Sequence, residues 1–300
     1  MTTKILVTGG SGTVGKALQK IMPVAAYVSS EDYNLLDQGD VEYMFMHHKP
    51  EVVVHMAARV GGIQDNLKHP ANYFYENTLM NTLVVDCARR NKVKQFIGLL
   101  STCVYPDVAS SYPMKEEQLH EGKPTATNFS YGYAKRAMAV HIDTLNAQYN
   151  TNYQYLIPCN IYGVDDAHDE QKSHFLGALI KKIHAAVKTG DNSISLLGTG
   201  IAMRQFMIAD DLAAIIKSCV DNNITESFNV CPDENISIKD IAHIALQACD
   251  AQHLQIEWDS TKPDGQLNKE AGNAKLKALF PDFNFTSLSD GIKKVYQKLG

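Results

Sequence analysis

Residues 4–15 read Lys4-Ile5-Leu6-Val7-Thr8-Gly9-Gly10-Ser11-Gly12-Thr13-Val14-Gly15, and the helical pattern Lys16-Ala17-Leu18-Gln19-Lys20-Ile21 follows directly. A short apolar strand, a glycine turn and a helix stand in that order. At the spacing of Gly9, Gly12 and Gly15, one glycine makes the tight turn, one lets a pyrophosphate approach the main chain, and one packs the helix close on the sheet. An ordinary turn between strand and helix is the plainer alternative. The position after the first strand of the chain favours dinucleotide binding, with Thr13 and Val14 in the same candidate site.

Moving outward, Ala25-Ala26-Tyr27-Val28 reads as a second strand, ending in Ser29-Ser30 about twenty residues past the glycines. An NAD site usually has an acid at that tip. Ser29 and Ser30 are uncharged and tolerate a 2′-phosphate, which points to NADP(H), although Glu31 and Asp32 follow at once. Asp37 meets the adenine or caps the next helix. Residues 51–58 read as a buried parallel strand whose small terminal residues, Ala57 and Ala58, suit close approach of a cofactor; its His55 reads as structural. The loop Arg59-Val60-Gly61-Gly62-Ile63 follows at the strand's carboxyl end. A helix is predicted from Pro70 to Asn91, a strand from Gln95 to Leu100, and a helix from Ser130 to Tyr149. Such alternation specifies an α/β fold, a doubly wound parallel sheet of the Rossmann kind.

Beyond Pro158-Cys159-Asn160-Ile161-Tyr162-Gly163 the alternation gives way to loops and shorter elements. These predict a smaller mixed α/β substrate-binding portion. Residues 1–163 with 192–231 are assigned to the NADP-binding portion, and 164–191 with 232–300 to the substrate portion. No long linker separates them, so their interface is the expected cleft.

Two segments bring chemistry to that cleft. Ser101-Thr102-Cys103-Val104-Tyr105-Pro106 places a hydroxyl and a thiol two residues apart, on one face if the segment is extended. Tyr131-Gly132-Tyr133-Ala134-Lys135 puts a phenol one helical turn from an ammonium. A lysine beside a phenol favours phenolate, so Tyr131 is expected to exchange a proton with a carbonyl or alkoxide oxygen nearer neutral pH. Carbonyl reduction needs that service, though a solvated helix face carries the same residue types.

Composition narrows the class. The 300 residues, 45% hydrophobic, suffice for a full core. A net charge of -5 without a basic run argues against nucleic acid. The 6 cysteines lack any Cys-x-x-Cys pair, which speaks against zinc or a disulfide framework and for reduced thiols in the cytoplasm. No metal is expected. The amino terminus lacks a signal-peptide pattern, and no stretch approaches the roughly 18 apolar residues of a membrane span.

Taken together, residues 8–15, 55–63, 101–106, 131–135, 158–163, Ser173-His174, 198–211 and Lys262-Pro263-Asp264-Gly265 resemble the GDP-L-fucose synthases. These are GDP-4-keto-6-deoxy-mannose 3,5-epimerase/4-reductases of the extended short-chain dehydrogenase/reductase family, and the resemblance covers essentially the whole chain. It implies that Ser101, Tyr131 and Lys135 form a reducing triad and that Cys103 and His174 serve the epimerisations. It adds Pro158, Asn160 and Ile161 to the cofactor set, with Tyr131 and Lys135. Lys182, Arg204 and Lys269 are implied contacts to a GDP-sugar. Several relatives carry arginine at the position of Lys182, and lysine does not form a bidentate fork to phosphate. Val164-Asp165-Asp166-Ala167 also departs from the Pro-His-Asp-Asn common in relatives. A homodimer is implied, packed through the helices near Pro70–Asn91 and Ser130–Tyr149, whose apolar residues include Leu79, Leu83, Val84, Met138, Ile142 and Leu145; these residues face either a partner or the sheet.

Three alternatives share parts of this pattern. A 4,6-dehydratase would carry an Asp-Glu pair where Thr102-Cys103-Val104 stands. A 4-ketoreductase acting on a related GDP-4-keto-6-deoxy sugar or heptose without epimerisation needs the same triad. A non-catalytic NADP-binding regulator would have no use for Ser101, Tyr131 and Lys135.

Overall fold

The computed structural model describes residues 3–165, 175–262 and 264–299. Six short strands make the main sheet: β1 (Ile5–Thr8), β2 (Ala26–Val28), β3 (Val52–His55), β4 (Gln95–Leu99), β5 (Tyr153–Pro158) and β6 (Phe228–Val230). All pairings are parallel, and the order is β6-β5-β4-β3-β1-β2. Every residue of β3 and β4 is buried, as expected of strands covered on both faces.

The helices follow the strands in turn: α1 (Thr13–Ile21), α2 (Gln38–His48), the short α3 (Ile63–Lys68), α4 (Pro70–Arg90) and α5 (Phe129–Tyr149). Then α6 (Phe175–Thr189) opens the smaller portion, α7 (Ala209–Asp221) returns to the sheet, and α8 (Ile238–Ala248), α9 (Ala274–Leu279) and α10 (Leu288–Tyr296) complete the chain. The period-two geometry of a strand divides the core. Leu6, Val53, Phe96 and Ile157 meet Phe45 of α2, Val84 of α4 and Met138 of α5. Their neighbours Val7, Val54, Ile97 and Leu156 meet Leu18 of α1 and Ile215 of α7 on the other face. The sheet is therefore doubly wound, in the Rossmann manner. Its order reverses between β1 and β3, and a crevice opens at their carboxyl ends.

The smaller portion has its own core, in which Ile180, Ile183, Ile241, Ala245 and Ile292 join α6, α8 and α10. Residues 193–197 differ from the division drawn on sequence. They pair in parallel with Gln255–Asp259 and bury Ile194 and Leu196 in this third core, because their apolar side chains find partners there rather than on the main sheet. No helix among the described residues is long and apolar enough to cross a membrane.

Of the six apolar residues considered for a partner surface, Val84, Met138, Ile142 and Leu145 lie in the sheet core. Leu83 is partly buried against that core. Tyr75 and Val140 of the same helices are exposed.

Candidate active site

The candidate cofactor end of the site is built from main chain. Gly9 turns at φ +78, and the Gly12 N–H donates to the Gly9 carbonyl at 3.1 Å. A Cβ on Gly15 would lie 2.4 Å from the same carbonyl oxygen, so only glycine lets α1 start this close to the turn. Gly12 caps α1 without a side chain, which leaves the first-turn N–H groups at Thr13, Val14 and Gly15 without an intrahelical acceptor. Ala57 packs beneath the turn: a Cβ on Gly9 would sit 2.8 Å from its nitrogen. Ala58 follows it, past the end of β3. First-turn N–H groups without partners and a turn free of Cβ atoms at Gly9, Gly12 and Gly15 suit a pyrophosphate.

At the tip of β2 the expectation of an uncharged site needs correction. Asp32 folds back so that its carboxylate accepts hydrogen bonds from the Ser29 N–H at 2.8 Å and the Ser29 hydroxyl at 2.9 Å. Those two bonds hold its pKa below the usual carboxylate value, so the tip carries a negative charge beside exposed Ser30. Asp37 is the N-cap of α2, accepting from the Asp40 N–H at 2.9 Å. Pro158 closes β5, while Asn160 and Ile161 lie on the strand Asn160–Tyr162, which pairs with Phe206–Ile208. The Asn160 amide donates to the Gln205 carbonyl at 2.8 Å.

His55 is structural. It joins Thr8 Oγ1 at 2.7 Å and Asn81 Oδ1 at 3.0 Å, tying β1, β3 and α4 together, and burial lowers its pKa to about 3.

At the sugar end, residues 102–104 form a single 3₁₀ turn rather than extended chain. Ser101 caps it, its Oγ accepting from the Cys103 N–H at 3.3 Å, so hydroxyl and thiol are brought together by a cap and not by strand alternation. Helix α5 lies against this turn. A Cβ on Gly132 would come 2.5 Å from the Cys103 carbonyl oxygen, and the buried Arg136 guanidinium donates to the carbonyls of Val104 and, at 2.7 Å, Gly122. Tyr131 is thereby set close enough to Cys103 to feel its charge, and Lys135 reaches the Leu99 carbonyl, two residues before Ser101.

The expected phenolate is not what this geometry favours. Lys135 Nζ donates to the Leu99 carbonyl at 2.7 Å and stands 5.9 Å from the centre of the Tyr131 ring. Burial raises the Tyr131 pKa, with smaller contributions from Cys103 and Tyr73, and it lowers that of Lys135 to about 7. Both shifts favour the neutral forms because a low dielectric penalises either charge. Tyr131 is held as a proton donor, the state that protonation of an alkoxide requires. Its ring packs edge-on to Tyr73, 6.4 Å between centres, and the Tyr73 hydroxyl donates to Asp65 at 2.6 Å.

Arg204 and Lys269 arrive from far along the chain. Met203–Arg204 pairs in parallel with Asn268–Lys269, placing Arg204 opposite Lys269. Arg204 Nη1 donates to the Met203 carbonyl at 2.8 Å. Lys269 is buried, and its Nζ lies 3.0 Å from Cys103 Sγ. Asn128, which the sequence reading passed over, donates from Nδ2 to the same sulfur at 2.8 Å. It occupies the N-cap position of α5 without making the capping hydrogen bond, and that unused cap is the only local sign of its role. Lys182 Nζ donates to the Ser195 carbonyl at 3.0 Å. His174 lies outside the described residues.

Burial pushes the Cys103 thiol up, but the Lys269 ammonium, hydrogen bonds from Ser101 and Lys269, and the Arg204 charge outweigh it; the net pKa is lowered. The other five cysteines are buried and their thiols are all raised, with burial the largest cause.

Residues 5–231 match the family described as NAD dependent epimerase/dehydratase. The chain is 35% identical to a GDP-L-fucose synthase of Dictyostelium discoideum, over 98% of this chain and 94% of the relative. Among solved structures it resembles a GDP-L-fucose synthetase from Naegleria fowleri bound to NADP, with a TM-score of 0.89, 30% identity and coverage of 100% and 93%. It also resembles a GDP-mannoheptose C4 reductase from Campylobacter jejuni with NADP bound, with a TM-score of 0.87, 26% identity and coverage of 99% and 98%.

Proposed function

The chain belongs to the NAD dependent epimerase/dehydratase family, and from that membership we propose that it converts GDP-4-keto-6-deoxy-D-mannose to GDP-L-fucose with NADPH, epimerising carbons 3 and 5 and then reducing carbon 4. The observation that carries this reading is the Cys103 thiol next to the Ser101 cap, with Lys269 Nζ at 3.0 Å and Asn128 Nδ2 at 2.8 Å from its sulfur. Reduction alone has no use for a base there.

A proton on carbon next to the 4-ketone is acidic enough for a thiolate to remove. Ser101 and Tyr131 donate hydrogen bonds to the enolate oxygen, which is common to abstraction at carbon 3 and at carbon 5. Inversion requires return of a proton to the opposite face, the role proposed for His174. When bound, NADPH supplies the hydride for carbon 4. Tyr131 then gives its proton to the alkoxide oxygen, and Lys135, anchored on the Leu99 carbonyl, positions that end of the cofactor. Gly9, Gly12, Thr13, Val14 and Gly15 hold the pyrophosphate, with Ala57, Ala58, Pro158, Asn160 and Ile161 around the nicotinamide half and Ser29, Ser30 and Asp37 at the adenosine. Lys182, Arg204 and Lys269 are assigned to the nucleotide-sugar side. The six free cysteines fit a cytoplasmic enzyme. We place a homodimer contact on the outer faces of α4 and α5, which leave Tyr75 and Val140 exposed.

A 4-ketoreductase without epimerisation is the second reading, favoured by the likeness to the Campylobacter jejuni reductase. Incubation with GDP-4-keto-6-deoxy-D-mannose and NADPH in deuterated water separates the two. NMR of the product is expected to show GDP-L-fucose with deuterium at carbons 3 and 5; an unlabelled 6-deoxy product would leave the reductase alone.

A further inference from the structure

Resting on the reading of Cys103 as the epimerising base, we propose that Lys269 is a positioning residue for that base: its ammonium holds the sulfur as thiolate, and this is its main service to the reaction. Three observations carry the assignment. First, Lys269 Nζ is 3.0 Å from Cys103 Sγ although the residues are 166 positions apart, and Asn128 Nδ2 approaches the same sulfur at 2.8 Å. Two N–H donors converge on one sulfur, an arrangement that suits an acceptor bearing negative charge.

Second, the strand that carries Lys269 is pinned on both sides of it. Asn268 pairs with Met203, the Glu270 carbonyl accepts from the Met114 N–H at 2.8 Å, and the buried Gln205 amide brackets Ala271, accepting from its N–H at 2.8 Å and donating to its carbonyl at 3.0 Å. Lys269 is 8% exposed, so its ammonium is held at the sulfur by the fold rather than swinging in solvent. Third, no carboxylate lies within ion-pair distance of its Nζ among the described residues. A buried ammonium without a carboxylate partner is costly, and an ionised thiol 3.0 Å away relieves that cost.

The groups facing Cys103 come from each element packed on it. Lys269 and Arg204 face it from their paired short strands, Tyr131 and Asn128 from α5 and its start, and Ser101 from its own turn. Two of these are cations, and Tyr131 is held neutral. Ionisation moves a proton from Sγ to water and leaves the Lys269 and Arg204 cations facing the anionic sulfur.

The test uses the full chain without substrate and iodoacetamide as the probe, with alkylation of the Cys103 peptide followed by mass spectrometry from pH 5 to 10. The five buried cysteines serve as slow internal references. Wild type is expected to show a midpoint clearly below the ~8.5 of a free thiol. Lys269→Met should raise it by about one unit or more, slowing alkylation at pH 7 by about tenfold, and Lys269→Arg should restore most of the rate. A thermal melt and NADPH fluorescence establish that each variant is folded. A wild-type midpoint at or above ~8.5 overturns the proposal even where Lys269→Met does not fold. So does an unmoved midpoint in a folded Lys269→Met enzyme whose KM for the nucleotide sugar has risen, since that is the signature of a substrate contact. Loss of deuterium at carbons 3 and 5 in the wild-type product would refute the epimerase reading and leave this alkylation result standing by itself.

Discussion

The two ends of the cleft are made of different material. At the proposed cofactor end the candidate groups are main-chain N–H donors, presented by one continuous stretch from Gly9 to Gly15, and side chains matter there mainly by being absent. At the sugar end they are side chains from four separate places: Ser101 and Cys103, Asn128 to Lys135, Arg204, and Lys269. A main-chain site is robust to most nearby substitutions but intolerant of any added Cβ. A side-chain site loses one chemical step at a time.

The largest effect expected from this difference is at Tyr131. Tyr131→Phe removes the proton donor and leaves the glycine cradle intact, so turnover should fall roughly 10²–10⁴-fold with NADPH affinity nearly unchanged. Stopped-flow oxidation of NADPH alongside fluorescence titration measures both quantities, and near-normal reduction would sink the assignment.

Gly15→Val is the converse. Its Cβ would lie 2.4 Å from the Gly9 carbonyl oxygen, so the turn must shift. Displacements of about 1 Å in a positioned site cost on the order of 10²-fold. The loss is expected in NADPH binding, while the alkylation midpoint of Cys103 stays where it is; a shift of that midpoint would mean the two ends are not separable.

The smallest effect sharpens the cofactor end. Asp32 is solvent-exposed, so its charge is screened and its influence on a 2′-phosphate is modest. Asp32→Asn should raise the NADPH to NADH ratio of kcat/KM by roughly two- to fivefold. A ratio unchanged by the substitution would remove Asp32 from cofactor discrimination.

Legibility in the sequence followed the same division. The doubly wound sheet, the glycine cradle and the helix that carries Tyr131 and Lys135 could all be read because each depends on neighbours a few residues away: strand alternation, a three-residue glycine spacing, one turn of helix. Readings went astray where one local rule met a stronger competitor, local or tertiary. Ser101 and Cys103 were expected on one extended face, yet capping by Ser101 closes a 3₁₀ turn. The Lys135 ammonium was expected to favour a Tyr131 phenolate, yet burial acts on both groups and raises the pKa of the phenol. Residues 193–197 left the large portion because their strand partner, Gln255–Asp259, lies about sixty positions on.

By itself, then, the sequence determined the regular elements whose cause is local, including the Tyr131–Lys135 pair at one helical turn. Only the tertiary structure decided what stands beside Cys103. Asn128 is 25 positions away and Lys269 is 166. Nothing in the residues flanking Lys269 distinguishes it from a surface lysine; it becomes a partner for sulfur because Asn268–Lys269 pairs with Met203–Arg204 while Met114 and Gln205 grip the following residues. The strength of a charge on a thiol depends on distance and on how much water lies between them, and both are properties of the folded chain.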